Sequence, residues 1–259
     1  MSVIYWFSGT GNSLYAAKYI AAELGDIPLV PISAGVPDEA VGGSGEKVGF
    51  VFPSYYGNMP RAVRSFVEGL EVKPGTYLFA IVTMGFVGQG SVASLRSSLR
   101  SKNLPLDYGI GIRMPANYVM SYNPADSNKC EAKLDQIAKR IRRACAEISA
   151  GVRSVKAFKF TANNLYKNIP SLDTQFFADD TCGGCSQCVQ ICPVGNIRIH
   201  EGKPSWLHHC EHCATCISWC PTQAIQYGSH TKTRRRYQNP RISVSEFMLD
   251  PSSENHESY

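Results

Sequence analysis

Val3-Ile4-Tyr5-Trp6-Phe7-Ser8-Gly9-Thr10-Gly11-Asn12-Ser13 joins a strand pattern to a helix pattern without a break. Its first five residues are all apolar, as expected of a parallel strand covered on both faces. The turn that follows feeds a helical stripe of Leu14, Ala17, Ala21 and Leu24, with Gly25 placed to stop it. Further along, Pro28 to Ile32 is a weaker, edge-type strand, and Val48 to Phe52, Tyr77 to Thr83 and Tyr108 to Ile112 repeat the strand pattern. Helical stripes lie between and after them. The first is Val63, Phe66, Val67 and Leu70, with Pro60 suited to its opening turn; the second is Val92, Leu95 and Leu99. The longest is Leu134, Ile137, Ala138, Ile141, Cys145 and Ile148, ended by Gly151. Strands alternating with helices in this way predict an α/β doubly wound parallel sheet, because parallel neighbours need right-handed crossovers.

The turn itself suits a phosphate. Ser8, Thr10 and Ser13 offer hydroxyls, and Gly9 and Gly11 let the backbone come close. The new helix contributes unpaired N–H groups and the positive end of its dipole. The loop holds no Lys or Arg, so it is neither a P-loop nor a Gly-x-Gly-x-x-Gly fingerprint. The plain alternative is a Gly/Ser turn with a helix cap. Ser-Gly-Thr-Gly-Asn-Ser after the first strand resembles the FMN phosphate loop of flavodoxins. That resemblance implies a five-stranded sheet of order 2-1-3-4-5, with FMN at the carboxyl ends of the strands. It also implies two loops around the flavin ring. One is Pro53, Ser54, Tyr55, Tyr56, Gly57, Asn58 and Met59; the other is Thr83, Met84, Gly85, Phe86, Val87, Gly88, Gln89 and Gly90. Tyr55 and Tyr56 are the expected ring contacts. Gly57 resembles the position whose peptide turns toward the half-reduced ring, with Asn58 beside it tolerating unusual dihedrals. The acidic and tryptophan residues usual in these flavodoxin loops are missing.

Eight of the ten cysteines crowd between Cys182 and Cys220. Cys182-x-x-Cys185-x-x-Cys188-x-x-x-Cys192-Pro193 is repeated as Cys210-x-x-Cys213-x-x-Cys216-x-x-x-Cys220-Pro221. Three thiolates at this spacing on a tight loop can grip three irons of a cubane, and the pattern is that of bacterial two-cluster ferredoxins. That pattern implies that the fourth cysteine of each copy crosses over. Cluster one then takes Cys182, Cys185, Cys188 and Cys220, and cluster two takes Cys210, Cys213, Cys216 and Cys192. The competing reading is two Cys₄ zinc sites, although zinc sites more often show two separated C-x₂-C pairs. The unit has few large aliphatics, so its metals are expected to supply much of its fold.

Taken whole, the chain resembles the fusion family, the EFR-type ferrodoxins of anaerobes, that joins a flavodoxin-like domain to a ferredoxin-like domain with two 4Fe-4S clusters. The implied division is 1–151 for the FMN domain, 152–178 for a connector, 179–228 for the ferredoxin-like domain and 229–259 for a basic, then polar, extension. The implied function is electron transfer between FMN and two 4Fe-4S clusters in anaerobic metabolism, serving redox partner proteins. An FMN-dependent reductase of a small molecule is the alternative. Arg234-Arg235-Arg236-Tyr237-Gln238-Asn239-Pro240 resembles the C-terminal extension of such fusions, which favours docking within the protein. Met114-Pro115-Ala116-Asn117-Tyr118 resembles another of their recurring segments, near the flavin or the domain junction.

Composition narrows the remaining classes. Apolar residues make up 44% and charged residues 18% of 259, so a sizeable core is expected. The net charge of +5 is too thin to argue for nucleic acid. No run reaches the roughly 18 apolar residues of a membrane helix. The N-terminus lacks a basic lead-in, so the cytoplasm is the expected compartment, and crowded cysteines there read as metal ligands, not disulfides. Cys130 and Cys145 read as small buried hydrophobes, and His208, His209 and His212 as neighbours of the metal ligands, not ligands themselves. Trp219 is expected to shield a cluster from water.

Overall fold

The computed structural model describes residues 1–86, 88–157 and 168–248, except the side chain of Gln89. Val87, residues 158–167 of the expected connector and residues 249–259 of the tail lie outside the described residues.

The first half alternates strands β1 (Val3–Trp6), β2 (Leu29–Pro31), β3 (Lys47–Pro53), β4 (Tyr77–Met84) and β5 (Tyr108–Arg113) with helices α1 (Asn12–Glu23), α2 (Arg61–Gly69) and α3 (Gln89–Arg100). Helix α4 (Glu131–Ser149) follows, and then the short strand β6 (Ser154–Val155). All pairs in this sheet are parallel, for example Val3 opposite Val48 and Phe79 opposite Tyr108. The two-residue alternation of strand side chains divides the core. Ile4, Val51, Phe79 and Ile81 pack under α1 and α4, while Val3, Tyr5, Val48 and Phe50 pack under α2 and α3.

Two expectations are corrected here. The sheet has six strands, in the order β2-β1-β3-β4-β5-β6, not five. The sixth comes from the stretch read as connector: Ser154 N donates to Asp107 O (2.8 Å) and Lys156 N to Gly109 O (2.8 Å). β5 would otherwise present an unpaired edge, and two residues are too few to show a period in sequence. The extension after residue 228 is also more than a polar tail. Tyr237 and Asn239 are wholly buried, and Ile242 and Phe247 join the core beneath α1 and α4.

The cysteine-rich unit is built from two small antiparallel pairs. β7 (Phe176–Ala178) pairs with β10 (Ile225–Tyr227), and β8 (Ile197–His200) with β9 (Lys203–Trp206). The helical turns α5 (Gln187–Gln190) and α6 (Thr215–Trp219) start shortly after the second cysteine of each copy and carry the third, Cys188 and Cys216. The sequence repeat returns as a backbone repeat: Ser186 and Ala214, each just after the second cysteine of its copy, adopt φ of 61° and 63°. The unit's core of Phe176, Ile197, Ile217, Ile225 and Tyr227 is completed by Val119 and Met120 from the segment after β5. Among the described residues, no helix is long and apolar enough to cross a membrane.

Candidate functional site

A cavity of about 280 Å³ opens at the carboxyl ends of β1, β3, β4 and β5. The first loop lines it with Ser8, Gly9, Thr10, Asn12 and Ser13. The second contributes Pro53, Ser54, Tyr55, Tyr56 and Gly57, and the third Thr83, Met84, Gly85 and Phe86. Three expected residues lie outside the lining. Gly11 faces the C-terminal segment, where an added Cβ would come 2.8 Å from Asn239 Cβ. Gly88 sits under Met84, with the sulfur 2.6 Å from where a Cβ would stand. Asn58 is buried and accepts a hydrogen bond from Ser94 Oγ (3.2 Å).

The phosphate-type loop is rigidly held. Ser8, Thr10 and Ser13 are buried, Ser13 Oγ lies 2.7 Å from Thr83 Oγ1, and Asn117 Nδ2 donates to Thr10 Oγ1. Among the described residues, no Lys or Arg lines the cavity, so an anion there would rely on backbone N–H groups, hydroxyls and the start of α1. In the second loop Tyr55 and Asn58 exchange backbone hydrogen bonds (3.0 and 2.9 Å) around a tight turn. The left-handed conformations fall on Tyr56 (φ 51°) and Gly57 (φ 78°), whereas the sequence reading gave the unusual dihedral to Asn58. Positive φ at both central residues is the type I′ signature, and a tyrosine there is held at a cost. The Tyr55 ring stands edge-on to Phe7, and burial pushes its phenol well above the usual range. Phe86 is 64% exposed at the mouth, edge-on to Tyr122.

Of the far wall of the cavity, the sequence offered only the segment Met114 to Tyr118, expected near the flavin or the domain junction. Met114, Pro115, Asn117, Tyr118 and Tyr122 come from the segment after β5, and His212, Cys213 and Ala214 from the cysteine unit. The segment left open between flavin and junction therefore serves both. Tyr118 Oη bonds Tyr56 Oη and lies 2.6 Å from His212 Nδ1. Burial holds His212 down to about 4, so the imidazole is neutral at ordinary pH. The carboxyl end of the fifth strand was the one available signal for the tyrosines, whereas His212 had none apart from its place between two cysteines.

The two halves meet at the cavity. A Cβ on Gly9 would fall 2.1 Å from the carbonyl oxygen of Cys213. Trp219, expected to act as a shield, donates its Nε1–H to Gly9 O (3.0 Å). Glu211 is buried and accepts from the backbone N–H groups of Arg61 and Ala62 at the start of α2 (both 3.0 Å). The Arg61 guanidinium bonds Cys210 O (2.7 Å) and pairs with Glu211 (3.3 Å). The arginine run is likewise internal: Arg234 Nη1 donates to Val119 O (2.7 Å), Arg235 Nε to Pro124 O (3.0 Å) and Arg236 Nη1 to Thr231 O (2.8 Å).

The eight cysteines influence one another in two sets. Burial, then Cys185, Cys220 and Cys182, push Cys188 up to about 11, and Cys182, Cys185, Cys188 and Cys220 line a cavity of about 70 Å³. Burial, then Cys210, Cys213 and Cys192, and last Cys188, push Cys216 well above the usual thiol range. Cys213 is raised to about 12 by burial, then by Cys192. Cys220 thus acts on Cys188, and Cys192 on Cys213 and Cys216. Backbone N–H groups point at two of the sulfurs, Asn196 at Cys192 and His212 at Cys210, both at 3.2 Å. Among the described residues, no three or more His, Cys, Asp or Glu converge as a group that would hold one metal ion. Cys188, Cys210, Cys213 and Cys216, all raised by burial, stay protonated unless a cation stands beside them. His208 and His209 turn elsewhere, His208 Nδ1 to Asp173 Oδ1 (2.7 Å) and His209 Nε2 to Val194 O (3.0 Å).

No protein-family model matches the chain, and no curated protein matches it. Solved structures match parts of it, two among them being the following. A protein of Bacteroides uniformis described as a flavoprotein is 18% identical, with a TM-score of 0.33, over 43% of this chain and 89% of its own. Rubredoxin oxygen:oxidoreductase from the anaerobe Desulfovibrio gigas is 17% identical, with a TM-score of 0.34, over 56% of this chain and 36% of its own.

Proposed function

We propose that the chain is an electron-transfer flavo-iron-sulfur protein, with FMN in the cavity and two 4Fe-4S clusters in the cysteine unit. One observation carries the reading: Gly9 of the phosphate-type loop packs directly on the carbonyl of Cys213, so flavin loop and second cysteine set share a wall. When bound, FMN exchanges electrons singly or in pairs, and each cluster exchanges one at a time.

The residues divide the work. The N–H groups at the start of α1, with Ser8, Thr10 and Ser13, hold the phosphate; Tyr56, Gly57, Met84 and Gly85 border the ring. Cys210, Cys213, Cys216 and Cys192 hold the cluster next to the cavity, and Cys210 and Cys216 are buried. Cys182, Cys185, Cys188 and Cys220 hold the outer one, where Cys185 is exposed to a partner. The flavin part spans 1–151 with the added strand, and the cluster part 179–228. Protein redox partners in an anaerobic cytoplasm fit this arrangement, since reduced thiols need a reducing compartment. Neither nucleic acid nor a membrane is a proposed partner.

The test is anaerobic purification with an absorbance spectrum and metal analysis. The expected result is broad absorption near 400 nm, about eight irons per chain and one FMN. Changing Ser8, Thr10 and Ser13 together to Ala should release FMN and leave iron in place. A colourless preparation, or zinc in place of iron, overturns the proposal.

The reductase reading is favoured by one specific feature, the hydrogen-bonded hydroxyls of Tyr56 and Tyr118 on the cavity wall. They are placed to hand a proton to a small molecule above the ring. Oxidation of the reduced holoprotein by a quinone or enone faster than by a one-electron protein acceptor, and slowed by Tyr118→Phe, would select it.

A further inference from the structure

The C-terminal segment passes behind the phosphate-type loop, against Gly11, the loop residue that does not line the cavity. Asn239 N donates to Thr10 O (2.8 Å). Asn12, the first residue of α1, has both ends of its side-chain amide engaged. Its Oδ1 accepts from Tyr237 Oη (2.8 Å) and Asn239 Nδ2 (3.0 Å), and its Nδ2 donates to Pro115 O (3.1 Å). Tyr237 and Asn239 are wholly buried. The segment is itself fixed, because Arg241 bonds Glu131 (2.8 Å) and Asp135 (2.7 Å) on α4.

We propose that Tyr237 and Asn239 are positioning residues of the FMN phosphate site, shaping the loop from the side opposite the ligand. The inference rests on the FMN reading. A loop with two glycines has wide backbone freedom, and ordering it on binding would subtract from affinity. With no Lys or Arg in the cavity wall among the described residues, the phosphate depends on N–H groups that already converge. Asn239 fixes the Thr10 peptide and, with Tyr237, the first residue of the helix, so those donors are aimed before the ligand arrives. Among the described residues, Tyr237 and Asn239 make no hydrogen bond to the loops around Tyr56 and Met84 that are proposed to border the ring. The dependence is therefore expected for FMN and not for riboflavin, which lacks the phosphate.

The test uses the full chain with clusters intact and flavin removed, titrated with FMN and separately with riboflavin. Y237F is nearly isosteric, and N239A removes the side-chain contact to Asn12. The two together should weaken FMN binding about ten-fold and riboflavin binding less than about two-fold, as expected for the two lost hydrogen bonds to Asn12. Iron and sulfide content and far-ultraviolet dichroism should match the parent, which shows that the variants fold. Unchanged FMN affinity in folded variants overturns the proposal, and so does an equal loss for both flavins. A parent chain that binds neither flavin overturns the FMN reading itself, and this inference falls with it.

Discussion

Gly9 is where the halves of the molecule touch most closely, and it is a glycine for steric reasons. Its Cβ would meet a carbonyl, which cannot move aside as a flexible side-chain end can. Gly9→Ala should therefore cost about 1–3 kcal/mol by overpacking and lower the FMN-to-iron ratio of the isolated protein. Gly25 provides the contrast. It holds φ 92° with open space around it, so Gly25→Ala should cost about 1 kcal/mol through backbone strain alone and leave both cofactor contents unchanged. Denaturant unfolding and cofactor analysis read both. Cys145 makes a different residue-level prediction. Burial pushes its thiol up to about 12, so the protonated form prevails at every pH below that. At pH 8 about one thiol in ten thousand is ionised, and alkylation of the folded protein should spare Cys145 until denaturant is added. Mass spectrometry of the alkylated chain would show it.

Among elements, the contact between α2 and the second cysteine loop ties the two sides of the junction together. Helix α2 has no side-chain cap of its own, and Glu211 supplies one from far along the chain. Burial raises the Glu211 carboxyl, yet the N–H groups of Arg61 and Ala62 and the guanidinium oppose that shift. Removing the carboxylate leaves those donors buried without an acceptor. Glu211→Ala should cost about 3 kcal/mol, and Glu211→Gln less, because the amide oxygen keeps one bond. Loss of visible absorbance in denaturant would follow it. An effect under about 0.5 kcal/mol would show that the latch is a surface pair of small worth. This tie was invisible in sequence: a glutamate between cysteines and a proline-led helix share no local pattern. The strand β6 was hidden for the same reason, since two residues carry no period.

At the scale of the whole molecule, the cavity has a sheet side and a cysteine side, and only the first is expected to stand alone. The sheet carries a core on both faces, to which the cysteine unit adds Ile191 and Trp219, whereas the cysteine unit's core is small and takes in Val119 and Met120, so on the proposed reading it needs its metals. Stripping iron with a chelator should unfold the cysteine unit, remove His212 and Cys213 from the cavity wall and weaken FMN. Stripping FMN should leave iron in place. Dichroism, limited proteolysis and flavin titration on each stripped form would reveal this asymmetry; equal losses in both directions would show one indivisible core.

Local information was enough for much of this protein. Apolar runs and 3.6-residue stripes determined the α/β alternation, because each strand and helix buries its face through residues close in sequence. The glycine and hydroxyl turn after β1 and the doubled cysteine spacing marked both candidate sites, because the ligand groups sit on single short loops. What needed the tertiary structure was every contact between segments more than ninety residues apart: the Gly9–Cys213 wall, the Tyr118–His212 pair, the Glu211 cap and Tyr237 and Asn239 behind the first loop. Such contacts follow from how packed surfaces meet, and no periodicity or motif in either partner records the other.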